Sequence, residues 1–480
     1  MAKPLCLLLI VVFSFGYMAA EEHVGLDEVR QAGLRVVEIT TLDNEEPQGM
    51  VVAKPGDPQN LNITYKNKVP CQIIITLFGD TLYDSGTYEA GNSGATIRIN
   101  GNTSAFFSNP LNMPYKLKLE RKADLLLRDN ASRYKDKHWR LLKDATSLNT
   151  IIGLKISQLL GMEWTAAYTP CNVVINGDYR GCYLLMETVR RNPDCRINCD
   201  KNTGFIVERD PYWWKEDISF PSQWYTDDSD YRWTFKYPDD DTISNDKLQS
   251  IQQYICLAEQ SLAIDHYEQY IDITSFAKWL LVHDILGTRD SGGANMYLKK
   301  YDDSATSLLQ MPCVWDFDSS YEVAPGSFSR VHQSSHAYFA TLLKSSNRSF
   351  VNAYLALWDE CSVMLNQRIT AFTTTFATSQ VGFALNLSWQ LHNRRWGYTI
   401  PDMATCIELA QHWFYTHLPL LDAQIQQIGQ ETGIAQISTS HNHTPCTCYD
   451  LQGRPIQYLS KRYTIIANGK TRRLFHTHAQ

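Results

Sequence analysis

The sequence has little excess charge and only one long apolar run. Its 480 residues carry 44 Lys and Arg against 51 Asp and Glu, a formal net charge of −7. This mild acidic balance gives no reason to expect nucleic acid or an anionic membrane surface as a partner. After residue 20, no stretch is long and apolar enough to cross a bilayer. We therefore expect no transmembrane segment in the mature chain.

The one long apolar run lies at the start of the chain. Residues 1–20 contain an early lysine, a short apolar core and small residues before Glu21. This is the pattern of a cleaved secretory signal peptide, and the run is short for the alternative, a membrane anchor. The sequence thus predicts a protein that is secreted or displayed at the cell surface. The whole chain is 44% apolar, enough for a core larger than that of one small domain.

Cysteines are few for the length of the chain. The chain has 12, and eleven remain once the predicted signal is removed. In an oxidising compartment some of them should pair. Cys195 and Cys199 would close a small loop, whereas Cys171 and Cys182 flank a predicted hairpin with an Asn-Gly turn. A two-residue turn would set the latter two opposite each other.

Hydrophobic periodicity indicates a β-rich part followed by a helical part. Residues 21–95 read as short strands separated by Gly and Asp turns, a β-rich N-terminal segment packed on the domain that follows. That domain is expected over 96–430, and a linker with a small β segment over 431–480. Helices are expected from Ser147 to Gly161 and at about 245–264, 270–286, 350–378 and 403–430.

The stretch from His283 to Tyr321 contains the residues best suited to chemistry. Asp290 follows an arginine and precedes Asn295 by five positions, and apolar residues then lead to W-D-F-D at 315–318. The stretch is predicted as a loop, a strand, a turn, a second strand and an acidic end. Phosphoryl transfer needs a carboxylate that orients and deprotonates the acceptor hydroxyl. It also needs an amide oxygen and a second carboxylate that hold Mg²⁺ against the phosphates.

The spacing of these residues matches the H-R-D-x-x-x-x-N loop and the following D-F-G of protein kinases. The two motifs alone do not decide the function, since an Arg-Asp pair with a later asparagine is common by chance. The W-D-F-D segment is also compatible with a simple turn or a calcium site.

Residues 96–120 read as a strand, a polar glycine turn and a second strand. In that second strand Tyr115, Leu117 and Leu119 alternate with Lys116 and Lys118, so the two lysines share one face. Turn amides and a strand lysine near phosphates would form the nucleotide-binding half of a kinase. The alternative is a half-exposed hairpin with solvated lysines.

Eight stretches, in this order, resemble the CotH kinases, a family of atypical protein kinases. They are I-R-I-N-G-N-T-S (97–104), P-Y-K-L-K-L (114–119), W-R-L-L-K-D-A-T-S-L (139–148), I-N-G-D-Y-R-G-C-Y-L-L-M-E (175–187), G-F-I-V-E-R-D (204–210), F-K-Y-P-D-D-D (235–241), R-D-S-G-G-A-N-M-Y (289–297) and V-W-D-F-D (314–318). The resemblance covers roughly residues 35–425. It implies a divergent two-lobed protein-kinase-like fold of the α+β class.

The resemblance also implies roles for individual residues. Asp290 matches the catalytic aspartate, Asn295 a Mg²⁺ ligand and Asp316 the principal metal aspartate. Asp318 is expected as a second metal carboxylate or as a group that fixes the loop. Lys118 is the first choice for a catalytic lysine that binds the phosphates.

Lys116 is the second choice for the phosphates. Tyr183, Glu187 and Trp315 are candidate walls of the nucleotide pocket, and each is equally compatible with a structural role. Glu187 closes the second strand of the predicted hairpin, where it would hold the strand lysine, contact a nucleotide or lie on the surface.

Two departures from the family pattern concern phosphate binding. Asn100 stands where the family's R-G-N-S turn has its arginine, and Asn149-Thr150 replaces a common Arg-Asn pair. Loss of a fixed cation with five N–H donors is expected to weaken the binding of nucleotide phosphates.

The predicted activity is transfer of the ATP γ-phosphoryl group, with Mg²⁺ or Mn²⁺, to Ser or Thr of extracytoplasmic proteins, possibly including the chain itself. The alternatives are a catalytically weak pseudokinase that acts as a surface-structural or partner-binding protein, and an accessory protein of glycan use. The end of the chain, with Y-D-L-Q-G-R at 449–454 and N-G-K at 468–470, resembles the C-terminal sorting domains of secreted Bacteroidetes proteins. The alternative there is a β hairpin without a sorting role.

Overall fold

A computed structural model of the chain describes most of its length. The described residues are 23–64, 67–129, 132–143, 148–222, 231–239, 242–290, 294–334 and 338–434, with strand segments at 447–449, 455–456, 464–468 and 471–475. The chain divides into two compact units, Met1–Gln426 and Gln427–Gln480. The second unit contains the antiparallel strands β15 to β18, in the order β16-β15-β17-β18.

The first part of unit one is built from strands. Their bounds are β1 (Arg35–Thr41), β2 (Val51–Lys54), β3 (Asp57–Ile63), β4 (Val69–Leu77), β5 (Asp80–Asp84), β6 (Ala95–Ile99), β7 (Tyr115–Ala123), β8 (Asp136–Leu142), β9 (Tyr168–Ile175) and β10 (Asp178–Glu187). The later strands are β11 (Phe205–Asp210), β12 (Ser219–Pro221), β13 (Arg232–Tyr237), β14 (Met296–Lys300), β15 (Thr447–Tyr449), β16 (Pro455–Ile456), β17 (Thr464–Asn468) and β18 (Thr471–Phe475).

Eight of these strands form one sheet that closes on itself. The order is β1-β9-β10-β8-β7-β6-β4-β5, and β1 also pairs with β4, so the sheet becomes a barrel with β5 alongside β4. The pairs are antiparallel except β1 with β9, which is parallel. Alternating apolar side chains fill the interior, among them Ile73, Ile97, Leu117, Trp139 and Val173, each with no exposed surface.

A smaller sheet, β12-β13-β11-β14, follows in the chain. In it Glu208 of β11 pairs with Tyr297 of β14 and with Thr234 of β13. This register brings the strand that leaves the 289–295 loop next to the strand of the G-F-I-V-E-R-D segment. The small sheet therefore connects two of the motifs that are far apart in sequence.

Most of the helices follow strand β13 in the chain. The helices are α1 (Leu26–Gln31), α2 (Thr103–Phe106), α3 (Leu148–Leu159), α4 (Asn245–Ala263), α5 (Ile273–Leu286), α6 (Arg330–Gln333), α7 (Phe339–Lys344), α8 (Ser349–Ala377), α9 (Gln380–Trp396) and α10 (Met403–Ile434). Ser244, Asp272 and Ser379 cap α4, α5 and α9 through side-chain oxygens. None of the described helices combines the length and apolar character needed to cross a bilayer.

The α+β class, the β-rich N-terminal part and the helical C-terminal part are confirmed. Helices predicted at 245–264, 270–286, 350–378 and 403–430 are present as α4, α5, α8 and α10. The hairpin turn is also confirmed, since Asn176 and Gly177 have φ of 51° and 80°, as a two-residue turn requires. The N-terminal part is a closed barrel, and the two-lobed kinase arrangement stays a prediction.

The domain limits at 95, 96, 430 and 431 also stay predictions. Strands β1 and β4 from the 21–95 segment belong to the same barrel as β6 to β10. The predicted signal at 1–20 lies outside the described residues, as does Ser147, the expected helix cap. Gly161, at φ 65°, follows the end of α3 as expected.

Several local predictions are wrong. The second strand expected before Trp315 is an extended segment with only isolated bridges, such as Lys299 with Gln310, and His283 lies in helix α5 rather than in a loop. Cys171 does not face Cys182, because a bulge near Gly181 shifts the register and places Cys171 opposite Tyr183. Cys171, Cys195 and Cys199 are free thiols, so neither expected disulfide is present.

Candidate functional site

A polar cavity of about 450 Å³ lies between the barrel, the small sheet and the loops before and after β14. It is lined by the turn after β6, by side chains of β7 and β8, by β11 and β13, and by both predicted motifs. Six of the predicted site residues line it together: Lys116, Asp290, Asn295, Trp315, Asp316 and Asp318. The cavity therefore brings together residues as far apart in sequence as Lys116 and Asp318.

Asp290 lies just beyond the end of α5, on a backbone that is fixed from two sides. The helix ends at Gly287 in the left-handed conformation, with φ 56°. Ser319 then binds the loop: its Oγ accepts from the Asp290 amide at 2.9 Å and its carbonyl oxygen accepts from the Arg289 amide at 3.2 Å. The Asp290 loop and the segment after D-F-D are thus tied to each other.

The Asp290 carboxyl stays accessible to solvent at the cavity. Partial desolvation raises its pKa above the ordinary aspartate value, while Arg330 and Arg289 act in the opposite direction. A raised pKa suits a group that accepts a proton during a reaction near neutral pH.

Asn295 and Asp316 share an uncommon backbone conformation and bind each other. Their φ angles are 56° and 71°, in the left-handed region that few non-glycine residues adopt. The Asn295 side-chain amide donates to Asp316 Oδ2 at 2.9 Å. Such strain is maintained only where the surrounding structure imposes it, and it is frequent at functional sites.

Burial alternates along the D-F-D segment. Trp315 and Phe317 are buried, whereas Asp316 and Asp318 are exposed toward the cavity that they line. Phe317 packs on helix α3 so closely that a Cβ at Gly153 would lie 2.2 Å from its Cδ1 atom. Asn149, in the first turn of α3, donates to the Asp318 carbonyl oxygen at 3.1 Å. Helix α3 therefore sets the position of both acidic side chains.

These groups fit a divalent metal of the Mg²⁺ type. Such ions take oxygen ligands, keep several waters, and are usually held by one or two carboxylates plus substrate phosphates. Asp316, Asp318 and Asn295 supply carboxylate and amide oxygens on one side of the cavity. Within the described residues, no group of three or more His, Cys, Asp or Glu forms a protein-only metal site.

Three cations lie in register across adjacent barrel strands and line the cavity. Lys116 of β7 is paired with Arg98 of β6 on one side and with Arg140 of β8 on the other. We call Arg98, Lys116 and Arg140 the cationic row. Burial lowers the pKa of Lys116 well below the usual lysine value. The neighbouring cations Arg98, Arg190 and Lys236 lower this pKa further, whereas Glu216 raises it.

The remaining predicted residues lie outside the cavity lining. Lys118 is exposed and is paired with Thr96 and His138, one step further along the sheet. Tyr183 is buried in the barrel core, where its hydroxyl donates to the Met113 carbonyl oxygen at 2.9 Å.

Glu187 is a buried structural anchor rather than a surface residue. It accepts from Arg128 and from the Ala167 amide, both at 3.0 Å. Among the described residues the structure therefore favours Lys116 over Lys118 for phosphates, and Trp315 over Tyr183 and Glu187 as a pocket wall.

The cavity has a second, acidic side that the motif reading did not assign. Glu208 accepts from Lys236 Nζ at 2.5 Å and from the Tyr297 hydroxyl at 2.8 Å. Burial and the neighbouring Glu208 raise the pKa of Asp210 to about 7, although Lys236 acts to lower it. The sequence did contain a signal for this acidic side, because the G-F-I-V-E-R-D and F-K-Y-P-D-D-D segments both end a strand with polar residues.

The turn after β6 reaches the acidic side through one contact. The Thr103 hydroxyl and the Tyr212 hydroxyl are 3.0 Å apart, and both residues line the cavity. This contact joins the barrel to the segment that follows β11.

Fold and cavity together define a mixed α+β protein with a polar cavity that combines carboxylates, an amide and a row of cations. A sequence model described as CotH kinase protein matches residues 97–375, more than half of the chain. The chain belongs to the CotH kinase family. Membership supports a kinase-like function at the family level, and kinases in general use ATP and a divalent metal. No curated protein matches the chain significantly.

Proposed function

We propose that this protein transfers the γ-phosphoryl group of ATP to a serine or threonine hydroxyl of an extracytoplasmic protein, itself included. One observation carries the proposal: Asp290, Asn295 and Asp316 line the same cavity as the cationic row. The extracytoplasmic location rests on residues 1–20, which have the pattern of a secretory signal.

In the proposed reaction the acceptor hydroxyl oxygen forms a bond to the γ-phosphorus. The bond between that phosphorus and the bridging oxygen breaks, so that ADP leaves. Asp290 orients the hydroxyl and takes its proton, for which the carboxylate must be ionised. Most of the rate enhancement comes from positioning and electrostatic stabilisation.

Asn295 and Asp316 would hold Mg²⁺ or Mn²⁺, with Asp318 as a further carboxylate. When bound, the ion neutralises charge that develops on the phosphate oxygens. Lys116, which lines the same cavity, stabilises the same phosphates from strand β7. Trp315 contributes an aromatic face to the pocket, and its indole is itself held beneath Arg140, whose guanidinium carbon lies 5.2 Å from the ring centre.

The first test compares the purified wild-type chain with Asp290→Asn in the presence of γ-labelled ATP and Mg²⁺ or Mn²⁺. Removing the proton acceptor should reduce label on the protein or on a generic acceptor about 100-fold or more. ATP affinity should stay nearly constant, because Asp290 does not hold the nucleotide. Equal incorporation of label by the two proteins would contradict the proposal.

A second variant separates metal binding from proton transfer. Asp316→Ala should abolish the Mg²⁺ dependence of ATP binding, measured by titration calorimetry with and without the ion. Stabilisation by ATP without any transfer in the wild-type chain would instead indicate a nucleotide-binding pseudokinase. Identical titrations of wild type and Asp316→Ala would remove Asp316 from the metal site.

A further inference from the structure

The cationic row sets three like charges directly beside each other on neighbouring strands. Like charges directly opposite each other on neighbouring strands destabilise a sheet. Adjacent strands are about 4.8 Å apart, so Arg98, Lys116 and Arg140 set three cationic side chains across roughly 10 Å of one face. This geometry is suited to an anion that carries several charges in a line, and less suited to a single phosphate.

Two neighbours, Asn100 and Trp315, hold the Arg140 side chain in position. With its amide oriented so that both polar atoms are satisfied, the Asn100 oxygen accepts from Arg140 Nε at 2.9 Å and from a terminal nitrogen at 2.8 Å. The guanidinium also lies over the Trp315 ring at 5.2 Å. A guanidinium has five N–H donors. Within the described residues Asn100 accounts for two of them.

The same guanidinium lies close to the proposed metal site. Trp315, on which it stacks, directly precedes Asp316, and the Asp316 charge acts on Arg140 together with Tyr297 and Glu208. A phosphate held by an ion at Asp316 and Asn295 is therefore within reach of Arg140. Asn100 accepts from one edge of the guanidinium, so the other N–H groups of Arg140 do not point at Asn100.

We infer that Arg140 is a phosphate-binding residue for a nucleoside di- or triphosphate, held in position by Asn100 and Trp315. The inference rests on the proposed function and deepens it. Arg140 should select donors by their phosphate chain, and it should contribute little to the binding of a nucleoside monophosphate. The cation that the turn lacks at position 100 is supplied by the neighbouring strand β8.

The test measures the affinity of the full chain for ATP, AMP and inorganic tripolyphosphate, each with Mg²⁺. Loss of a charged hydrogen-bonding partner should weaken ATP and tripolyphosphate binding by Arg140→Gln about 10- to 100-fold. AMP affinity should change little, because AMP lacks the β- and γ-phosphates that Arg140 would contact. Arg140→Lys keeps the charge without the planar fork and should show an intermediate loss.

Arg121→Gln is the matched control, because Arg121 is an exposed arginine on β7 of the same barrel. It removes the same charge without touching the cavity, and its ATP affinity should equal that of wild type. Thermal unfolding of each variant without ligand shows whether the fold is kept. A loss of ATP and AMP affinity in parallel, or no loss of ATP affinity in Arg140→Gln, would overturn the inference.

The role of Asn100 is tested by a double-mutant cycle. If Asn100→Leu acts only by releasing Arg140, then Asn100→Leu with Arg140→Gln binds ATP no more weakly than Arg140→Gln alone. Fully additive losses would remove Asn100 from the inferred role. Binding of tripolyphosphate without ATP would overturn the proposed donor and keep the role of Arg140, whereas wild type that binds neither would overturn both.

Discussion

At the scale of single residues, two of the proposed metal ligands share an uncommon backbone conformation. Asn295 and Asp316 both have positive φ and hydrogen-bond to each other across 21 positions of sequence. Conformations of this kind cost about 1–3 kcal/mol each and persist when packing enforces them. Here Ser319 and helix α3 supply that enforcement, through the Asp290 amide and through Phe317. The strain and the chemistry thus coincide on the same two residues.

The choice between the two strand lysines gives a direct prediction. Lys116→Gln should weaken ATP binding about tenfold or more, because a desolvated cation that faces phosphate is lost. Lys118→Gln should have a much smaller effect, because its side chain is exposed and lies outside the cavity lining. Titration of both variants with ATP and Mg²⁺ shows which of the two lysines binds the phosphates. A larger loss for Lys118→Gln would restore the assignment expected from the sequence.

This case also shows where prediction from the sequence stops. Alternation along β7 correctly placed both lysines on one face, opposite Tyr115 and Leu117. Which lysine reaches the cavity depends on the register with β6 and β8, and register is a property of pairing between strands. The residues proposed for metal binding and proton transfer were predicted from the spacing of two motifs, whereas Arg140 and Glu208 needed the three-dimensional arrangement.

At the scale of elements, helix α3 is the support on which the D-F-D segment rests. Its Gly153 leaves room for the Phe317 ring, and its Asn149 binds the Asp318 carbonyl oxygen. Glycine inside a helix ordinarily costs about 1 kcal/mol relative to alanine. The close approach of Phe317 explains why the position is nevertheless glycine.

Whether Gly153→Ala stabilises or destabilises the protein therefore depends on this contact. Without Phe317, alanine would stabilise the helix by about 1 kcal/mol. With Cβ 2.2 Å from Cδ1, we expect a net loss of stability, since overpacking costs about 1–3 kcal/mol. ATP binding in the presence of Mg²⁺ should weaken as well, because Asp316 and Asp318 flank the displaced ring.

Urea unfolding and ATP titration of the purified variant test both statements. The double variant Gly153→Ala with Phe317→Leu is the control, because a smaller side chain makes room for the methyl group and should recover part of both losses. A gain of stability in Gly153→Ala alone would contradict the proposed support.

Helix α9 docks on strand β10 through a buried neutral histidine. The His392 Nδ1 atom accepts from the Cys182 amide at 3.1 Å, which requires that this nitrogen carry no proton. Burial lowers the pKa of His392 to about 3. Burial likewise lowers the pKa of His283 to about 3 and that of His138 to about 4.

These histidines predict a loss of stability on acidification. Below about pH 6.5 the unfolded chain binds protons that the folded chain excludes. Each buried histidine therefore lowers the free energy of unfolding by about 1.4 kcal/mol per pH unit, down to its pKa in the folded chain. Asp210 acts in the opposite direction, because its raised pKa lets the folded chain bind a proton between about pH 7 and 4.

Between pH 6 and 5, unfolding therefore takes up roughly two protons at these four groups, the three histidines and Asp210. The urea midpoint should therefore fall steeply from pH 7 to 5. His392→Gln should be less stable at pH 7 but should show a dependence shallower by about one proton. An unchanged slope in this variant would show that His392 is not the titrating group. Helix α9 itself was not predicted, because polar residues interrupt its apolar face.

At the scale of the whole of unit one, a single buried carboxylate joins the helical part to the site. Asp284 accepts from the Ser329 amide at 2.9 Å, from the His332 Nδ1 atom at 2.8 Å and from the Tyr354 hydroxyl at 2.8 Å. Its carbonyl oxygen lies 2.9 Å from His417 Nε2. The carboxylate therefore connects α5 to Ser329, to α6 and to α8, whereas the backbone carbonyl of Asp284 connects α5 to α10. Asp284 lies six positions before Asp290.

The sequence does not reveal this cluster. Asp284 was visible next to the motif, but its partners lie 45 to 133 positions away and carry no pattern of their own. Burial favours the neutral acid, whereas His332 and the hydroxyl donors hold the pKa of Asp284 below its usual value. A buried carboxylate of this kind is stable only while its donors stay in place.

Asp284→Ala should accordingly be one of the most damaging substitutions outside the cavity. Removing one partner of a buried charge network costs about 3–5 kcal/mol, and Asp284→Asn, which keeps one acceptor oxygen, should cost less. Asp359→Ala, an exposed aspartate on α8, serves as the control and should stay within about 0.5 kcal/mol of wild type. Urea unfolding of the three variants measures these differences. Because the cluster connects four helical segments, the loss should appear as one cooperative shift of the main transition. A separate early transition confined to the 324–334 segment would mean instead that Asp284 fixes only that loop.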